Sequence, residues 1–244
     1  METGFKSIDG LIGGFQPGEL ITLSARPGME ATNFVLSIMA NIGEQDRLNN
    51  SESVVLYFAL AQSAKQLFER FQKIAGDGIE APFRGSICDV EKCDEWLCRN
   101  LTKHISPLAR DMNPDLIVID HLELLPSRND GSREKEIALW LSDFKEIAAR
   151  YGVPILVVTE LGEECEGKFI LKSKHFRYSK DSIDKLGFLY HETDCRYEFC
   201  DDITVYYYLK DFNYRIGNVA ILKFDPVRGR VVEKFHEMDD HGCK

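Results

Sequence analysis

The stretch from Leu20 to Leu36 constrains the fold of this chain more than any other part of the sequence. It begins with a short apolar run, Leu20 to Leu23, which is typical of a buried parallel strand. A turn containing Pro27 and Gly28 follows, and apolar residues then recur at helical spacing. Strand, tight loop and helix in this order form the geometry of a phosphate-binding loop, in which backbone N–H groups and a helix N-terminus face an anion.

The loop departs from the phosphate-binding motif at its two most important positions. The motif reads G-x-x-x-x-G-K-[ST], often with alanine first. The corresponding residues here are Ala25, Arg26, Pro27, Gly28, Met29, Glu30, Ala31 and Thr32. The first and last fit, whereas the second glycine is Glu30 and the lysine is Ala31. The sequence therefore predicts the shape of a nucleotide site without its chemistry. We interpret Arg26 to Thr32 as a vestigial nucleotide-binding loop and predict no catalytic residue.

The amino-acid composition limits the classes of protein to which this chain can belong. A chain of 244 residues with 44% hydrophobic content can form one large domain, or a domain with appendages. It contains no apolar run of about eighteen residues and no signal-peptide core at its start, so we predict a cytoplasmic protein without a membrane span. The seven cysteines, including Cys88, Cys93 and Cys98, lack zinc-site spacing and suit reduced thiols. A net charge of −10 is unusual for a protein whose main function is nucleic-acid binding.

The residues upstream of the loop carry a resemblance to a known family. Thr3–Met29 fits the pattern T-G-F-x-x-[IL]-D-x-x-x-x-G-[FL]-x-P-G-[ED]-L-I-x-[IL]-x-[AG]-R-P-x-M. This stretch resembles the start of the C-terminal ATPase domain of DnaB-type replicative DNA helicases, a RecA-like family. The resemblance extends over about Thr3–Glu237 and is weakest at Gly78–Asn113. We therefore predict a single domain over residues 1–237 and a disordered tail at 238–244.

The resemblance implies an α/β fold of the RecA-like P-loop NTPase type. Its features are a mainly parallel twisted sheet, helices on both faces and a C-terminal β-hairpin. It also implies that the fourth strand lies between the P-loop strand and the strand that ends at Asp120. The alternation of apolar strands with amphipathic helices predicts the same fold class independently.

Asp120 is the second element of the resembling site. The run Asp115–Asp120 is an apolar strand that ends in a carboxylate, and it resembles the family's Walker B element, whose aspartate holds Mg²⁺ through water. The alternative is a core strand whose terminal aspartate caps a loop. We favour the Walker B interpretation, with Asp120 as a metal ligand only if a nucleotide binds. The neighbouring His121 is interpreted as a structural or partly exposed histidine.

Three further positions depart from the family's catalytic residues. The glutamate that orients the attacking water is replaced by Ala61, the sensor glutamine by Glu160 and the arginine finger by Phe212. The last lies in Lys210–Gly217, which resembles the family's K-Q-R-N-G-P-I-G, so Lys210 and Arg215 are candidates for bridging to a neighbouring subunit. Together with Ala31 these changes predict that ATP hydrolysis is inefficient. ATP and Mg²⁺ are cofactors of the resembling family, and none is expected here.

A basic segment follows the fourth strand. From Gly167 to Lys180 there is no acidic residue, and the five cations are Lys168, Lys172, Lys174, Arg177 and Lys180. Phe169, Phe176 and Tyr178 are interleaved with them. The segment resembles the family loop that touches single-stranded DNA, and its cations are candidates for phosphate contacts and its aromatic rings for base stacking. The alternative is a solvated hairpin or a flexible lid.

These observations favour a homologue of the helicase ATPase domain that has lost its chemistry and acts as a binding or regulatory module linked to DNA replication. Candidate partners are single-stranded DNA, replication proteins and further copies of the chain. One alternative is a working helicase ATPase that uses Thr32, Asp120 and Arg215, and another is a protein-interaction scaffold without nucleotide or DNA. The family also has an N-terminal helical domain and a linker helix, which this sequence does not show, so ring formation is in question.

Overall fold

The computed structural model describes residues 1–82, 100–127, 132–162, 176, 178–191, 202–209 and 219–234. The described strands form one eight-stranded sheet in the order β2-β3-β4-β1-β5-β6-β7-β8. Their bounds are β1 Leu20–Ala25, β2 Val55–Ala59, β3 Leu116–Asp120, β4 Ile155–Glu160, β5 Lys185–His191, β6 Asp202–Leu209, β7 Val219–Asp225 and β8 Arg230–Glu233.

The topology agrees with the predicted fold class. The strands from β2 to β5 in the sheet pair in parallel, whereas β6, β7 and β8 continue the sheet antiparallel. As predicted, β4 lies between β1 and the Asp120 strand, β3. The predicted C-terminal hairpin is formed by β7 and β8 around residues 226–229. The boundary at residue 237 and the tail at 238–244 lie outside the described residues and stay predictions.

The described helices are α1 Lys6–Ile12, α2 Ala31–Asn49, α3 Ala64–Ala75, α4 Leu101–Met112 and α5 Arg133–Tyr151. Helix α2 continues through a polar stretch to Asn49, and the residue that caps it, Asn50, has a left-handed backbone. Within α5, the apolar side chain of Leu139 is 50% exposed. Trp140 is buried instead, because residues 137, 140, 141 and 144 share one face at helical spacing.

Two cores lie on opposite faces of the sheet, as the alternation of side chains along each strand requires. In β3, Leu116 and Val118 pack into the core with α1, α2 and α3, while Ile117 and Ile119 pack into the core with α4 and α5. This arrangement places the start of α2 at the carboxyl end of β1, beside the ends of β3 and β4, where ligands bind in open parallel sheets. No helix in the described ranges is both long and apolar enough to span a bilayer.

Two lysines form ion pairs at the amino ends of β1 and β5, and the two lysine side chains differ mainly in their exposure to solvent. Lys185 donates to Glu19 at 2.6 Å and to the Gly14 carbonyl at 2.7 Å, and its side chain is 6% exposed. Lys145 donates to Asp184 at 2.6 Å and to the Gly18 carbonyl at 2.8 Å, and its side chain is 31% exposed. The two contacts form a matched pair for testing the effect of desolvation.

We expect Lys185→Met to lower the free energy of unfolding by about 2–3 kcal/mol, because it leaves the poorly solvated Glu19 carboxylate without its cation. Lys145→Met should lower it by about 1 kcal/mol or less, since water replaces much of that contact. Urea denaturation of both variants measures the difference. Equal losses would show that burial does not set the strength of these contacts.

Candidate functional site

The loop between β1 and α2 has the backbone of a phosphate-binding loop. Gly28 has φ +79°, and Glu30 has φ +57° and ψ +31°. Glu30 stands where the motif has its second glycine, and a side chain in this left-handed region costs about 1–2 kcal/mol. The loop therefore adopts a conformation that favours glycine at a residue that carries a carboxylate.

The first turn of α2, which follows this loop, has backbone N–H groups without acceptors among the described residues. Within the described part of the chain no side chain caps the helix, and its first backbone bond runs from the Phe34 amide to the Glu30 carbonyl at 2.9 Å. The amides of Ala31, Thr32 and Asn33 have no backbone acceptor among the described residues. Unsatisfied amides at the positive end of a helix dipole attract anions.

A buried carboxylate joins α2 to two strands of the sheet. Asp120 is 1% exposed, and its Oδ2 accepts the Thr32 hydroxyl at 3.0 Å and the Tyr57 hydroxyl at 2.6 Å. Burial, together with the negative charge of Asp120 and the hydrogen bond to it, raises the pKa of Tyr57 well above its ordinary value. Tyr57 therefore remains a hydrogen-bond donor to the aspartate.

The second oxygen of Asp120 fits the metal-binding role predicted for it. Oδ1 is buried and accepts no hydrogen bond among the described residues, although His121 Nδ1 lies 3.1 Å away in a geometry that is not that of a hydrogen bond. A free carboxylate oxygen beside a threonine hydroxyl suits a hard cation such as Mg²⁺. In the described ranges no group of three or more His, Cys, Asp or Glu could hold a metal, so a bound nucleotide would have to supply ligands.

The Glu30 carboxylate is engaged by neighbouring side chains. Its Oε2 accepts the Asn33 amide at 2.5 Å and lies 3.3 Å from Nη2 of Arg70 in α3. Arg70 Nε also donates to Asn33 Oδ1, so the three side chains form a closed network. Both charged side chains are about one-third exposed, at 36% for Arg70 and 32% for Glu30, so the ion pair is partly screened by water.

A cavity of about 250 Å³ lies at this end of the sheet. It is lined by the whole loop from Ala25 to Thr32, by Arg70 and by three residues at the ends of β3 and β4, His121, Thr159 and Glu160. The predicted loop residues, Arg26, Pro27, Gly28, Met29, Glu30, Ala31 and Thr32, are therefore brought together, and Asp120 contacts them through Thr32. No lysine of the described residues lines the cavity, whose cations are Arg26 and Arg70.

Ala61 and Glu160, for which the resemblance predicts positions of catalytic residues, follow β2 and end β4, the two strands that flank β3 in the sheet. Ala61 is exposed just beyond β2, where the Leu60 amide donates to the Asp120 carbonyl at 2.6 Å. Glu160 is exposed at the end of β4 and lines the cavity. A methyl group cannot accept a proton from water, and a carboxylate on the cavity wall repels an anion.

The sequence did not indicate a role for Glu123, whose side chain contacts the backbone of Glu160. Its Oε1 accepts the Glu160 amide at 3.0 Å and the Tyr178 hydroxyl at 3.1 Å. Burial raises the pKa of the Glu123 carboxyl above its ordinary value of 4.5, although these hydrogen bonds oppose the shift. The only local signal was an acidic residue within the apolar run that follows β3.

The structure describes little of the basic segment. Lys168, Lys172, Lys174, Arg177 and Phe169 lie outside the described residues, as do Lys210, Phe212, Arg215 and the three cysteines Cys88, Cys93 and Cys98. Lys180 is exposed. Phe176 and Tyr178 are 6% and 9% exposed and pack edge to face with ring centroids 5.5 Å apart. Our interpretation of these two rings as base-stacking groups is therefore wrong, because both are part of the core.

Comparison with known proteins finds similarity to replicative DNA helicases. The family model for the DnaB-like helicase C terminal domain matches residues 1–80, which include the loop and Arg70. A replicative DNA helicase DnaB of Mycoplasma genitalium is 23% identical over 188 residues, and a probable replicative DNA helicase of Trieres chinensis is 27% identical over 195 residues. The chain is thus similar to the DnaB-like helicase C-terminal domain over its first 80 residues, and to these replicative helicases over about two thirds of its length. The two alignments include 68% and 70% of the chain but only 40% and 41% of these relatives.

The DnaB-like fold is also found among solved structures. The structure of a DnaB-like replicative helicase, described with its interactions with primase, superimposes with a TM-score of 0.72 at 20% identity, over 96% of this chain and 63% of that one. The RadB recombinase superimposes with a TM-score of 0.64 at 17% identity, over 96% of this chain and 99% of that one. The predicted RecA-like fold is thereby confirmed. The chain spans about two fifths of the length of the curated relatives that it matches.

The raised pKa of Glu123 makes stability depend on pH. A buried carboxyl whose pKa is raised contributes most stability below its ordinary value, and this contribution is lost as pH rises through its value in the folded protein. We therefore expect Glu123→Gln to gain stability relative to the original chain as pH rises from about 4 to about 7.

Urea denaturation across this range measures the difference, and Glu134→Gln, which removes an exposed carboxylate from α5, controls for net charge. A difference that is constant with pH, or that changes in the opposite direction, would contradict the expectation.

Proposed function

We propose that this chain is a helicase-type ATPase domain that has lost ATP hydrolysis and acts as a binding module linked to DNA replication. One observation carries the proposal. The cavity that a triphosphate would enter is bordered by the carboxylates of Glu30 and Glu160, and the motif lysine is the methyl group of Ala31.

Electrostatics supports the loss of nucleotide binding. A lysine ammonium beside a phosphate contributes roughly 4 kcal/mol per charge pair at an effective dielectric near 20. That attraction is absent here, and Arg70, the cation of α3 on the cavity wall, is already engaged by Glu30 at 3.3 Å. An incoming phosphate would have to compete with this internal anion. In addition, the methyl group of Ala61 cannot orient an attacking water.

A second candidate function, an active ATPase with an unusual site, is favoured by the contact between Thr32 and Asp120. Thr32 and Asp120 would hold Mg²⁺, and the first amides of α2 would hold phosphates, as in other loops of this shape. The metal would supply charge neutralisation on the phosphate oxygens. In this candidate, Lys210 and Arg215 would act on a neighbouring copy of the chain.

Calorimetry with ATP and Mg²⁺ separates the two candidates. We expect no binding by the original chain at millimolar ATP. The double variant Glu30→Gly with Ala31→Lys should bind, because it restores an unstrained loop and supplies the cation. As a control, Asp120→Asn introduced into the double variant should weaken the part of its ATP binding that depends on Mg²⁺. Micromolar binding by the original chain, with turnover stimulated by single-stranded DNA, would establish the active ATPase instead.

The binding partner that we propose first is single-stranded nucleic acid, contacted by Lys168, Lys172, Lys174, Arg177 and Lys180. This part of the proposal is supported by the charge of the segment and by its place in the sequence after β4, whose last residue, Glu160, lines the cavity. Replication proteins and further copies of this chain are the other candidate partners.

Fluorescence anisotropy with a labelled oligonucleotide tests the nucleic-acid partner. Binding should weaken as salt rises from about 50 to about 200 mM, and Lys172→Gln with Lys174→Gln should lower the slope of log K against log salt by roughly 0.7 per lost phosphate contact. The control is Lys65→Gln with Lys73→Gln, which removes the same charge from α3. If no salt-dependent binding is measured, the remaining candidate partners are replication proteins and further copies of this chain.

A further inference from the structure

The carboxylate of Glu30 is bound by two side chains in the way that a ligand anion would be. Its Oε2 accepts a hydrogen bond from Asn33 Nδ2 at 2.5 Å and lies 3.3 Å from Arg70 Nη2. Arg70 Nε donates to Asn33 Oδ1, and this bond orients the guanidinium. Guanidinium groups bind phosphate oxygens as they bind carboxylates. Because Arg70 lines the cavity, a cation of the cavity wall is occupied by the chain's own carboxylate.

Asn33, which binds Glu30 and orients Arg70, is built into the domain. It is only 7% exposed. Its backbone carbonyl accepts the Ser37 hydroxyl at 2.7 Å, and Ser37 Oγ accepts the Val231 amide of β8 at 2.9 Å. A polar side chain with this degree of burial needs hydrogen-bond partners, and Glu30 and Arg70 supply them. The contact between Glu30 and Arg70 is therefore organised by a buried group and not only by two surface charges.

Among the described residues, the two carboxylates that line the cavity differ in their contacts. Glu160 is exposed at the end of β4, and within the described ranges its carboxylate has no hydrogen-bond or ion-pair partner. Glu30 instead pairs with Arg70. Removing either charge changes the net charge of the cavity equally, but only its removal from Glu30 frees a cation.

We propose that the contact between Glu30 and Arg70 is autoinhibitory, because the loop carboxylate masks a cation that could bind phosphate. This mask excludes oxyanions from the cavity more strongly than the absence of the motif lysine does. The inference rests on the proposed loss of nucleotide binding and deepens it, since it assigns most of the block to one residue. Without Glu30, an oxyanion would meet a guanidinium that Asn33 already orients.

Calorimetric titration with inorganic pyrophosphate tests the mask, because this probe carries phosphate oxygens without a base or a sugar. We expect Glu30→Gln to bind pyrophosphate about tenfold more tightly than the original chain, since it removes the competing charge and keeps the size of the side chain. Glu160→Gln removes an equal charge from the same wall and should gain about threefold or less, because it frees no cation. Equal gains in the two variants would overturn the mask.

Two further variants test the role of Arg70 and the weight of the missing lysine. Arg70→Met added to Glu30→Gln should remove most of the gain in affinity. Ala31→Lys alone should gain less than Glu30→Gln, because the new ammonium would pair with the carboxylate that remains. A gain that survives Arg70→Met would overturn the mask, and so would a gain in Ala31→Lys that equals that of Glu30→Gln.

Glu30→Gly provides a second form of the test if the glutamine variant does not fold. Glycine adopts the left-handed backbone of residue 30, with φ +57°, without strain, so this variant should show the same gain that depends on Arg70. Urea denaturation establishes that each variant is folded. The proposed function fails if the original chain binds and hydrolyses ATP, whereas the mask is decided by the ratio of pyrophosphate affinities between variant and original chain. A ratio near one in both Glu30 variants would overturn it.

Discussion

The hydrogen bond from the Thr32 hydroxyl to the buried Asp120 carboxylate holds the start of α2 against the sheet. It joins the first turn of α2 to the end of β3, and Tyr57 brings β2 into the same contact. A carboxylate that is 1% exposed needs such donors, because burial without partners would cost several kcal/mol. Asp120 therefore fixes the first turn of α2 relative to β2 and β3 through contacts within the domain.

Glu30 combines a left-handed backbone with a carboxylate side chain. The carboxylate contacts Asn33 and Arg70. The β7–β8 turn lies close to this network, since a Cβ added to Gly229 would lie 3.0 Å from the Asn33 side-chain nitrogen. The loop is thus joined to α3 through Arg70 and lies near the C-terminal hairpin.

Much of the fold could be predicted from the sequence, because β1 to β4 are short apolar runs bounded by polar residues and their order followed from the family resemblance. Helix α1 could not, since turn-forming glycines surround it and its stability comes from burying Ile8 and Ile12. Helix α4 lies where the resemblance is weakest. The loop residues were found from their motif, whereas Arg70 and Glu123 were not, because they contact partners that are 37 to 55 residues away in the sequence.

The position of β1 in the sheet has a consequence for synthesis on the ribosome. Both of its neighbours come from much later in the chain, with Ile21 paired to Leu156 on one side and to Lys185 on the other. The nascent polypeptide therefore carries an apolar strand without its native neighbours until most of the domain has left the exit tunnel. A fragment that stops at residue 80 holds β1 and β2 but neither of the strands that separate them, so translation must proceed past β5 before the central sheet can close.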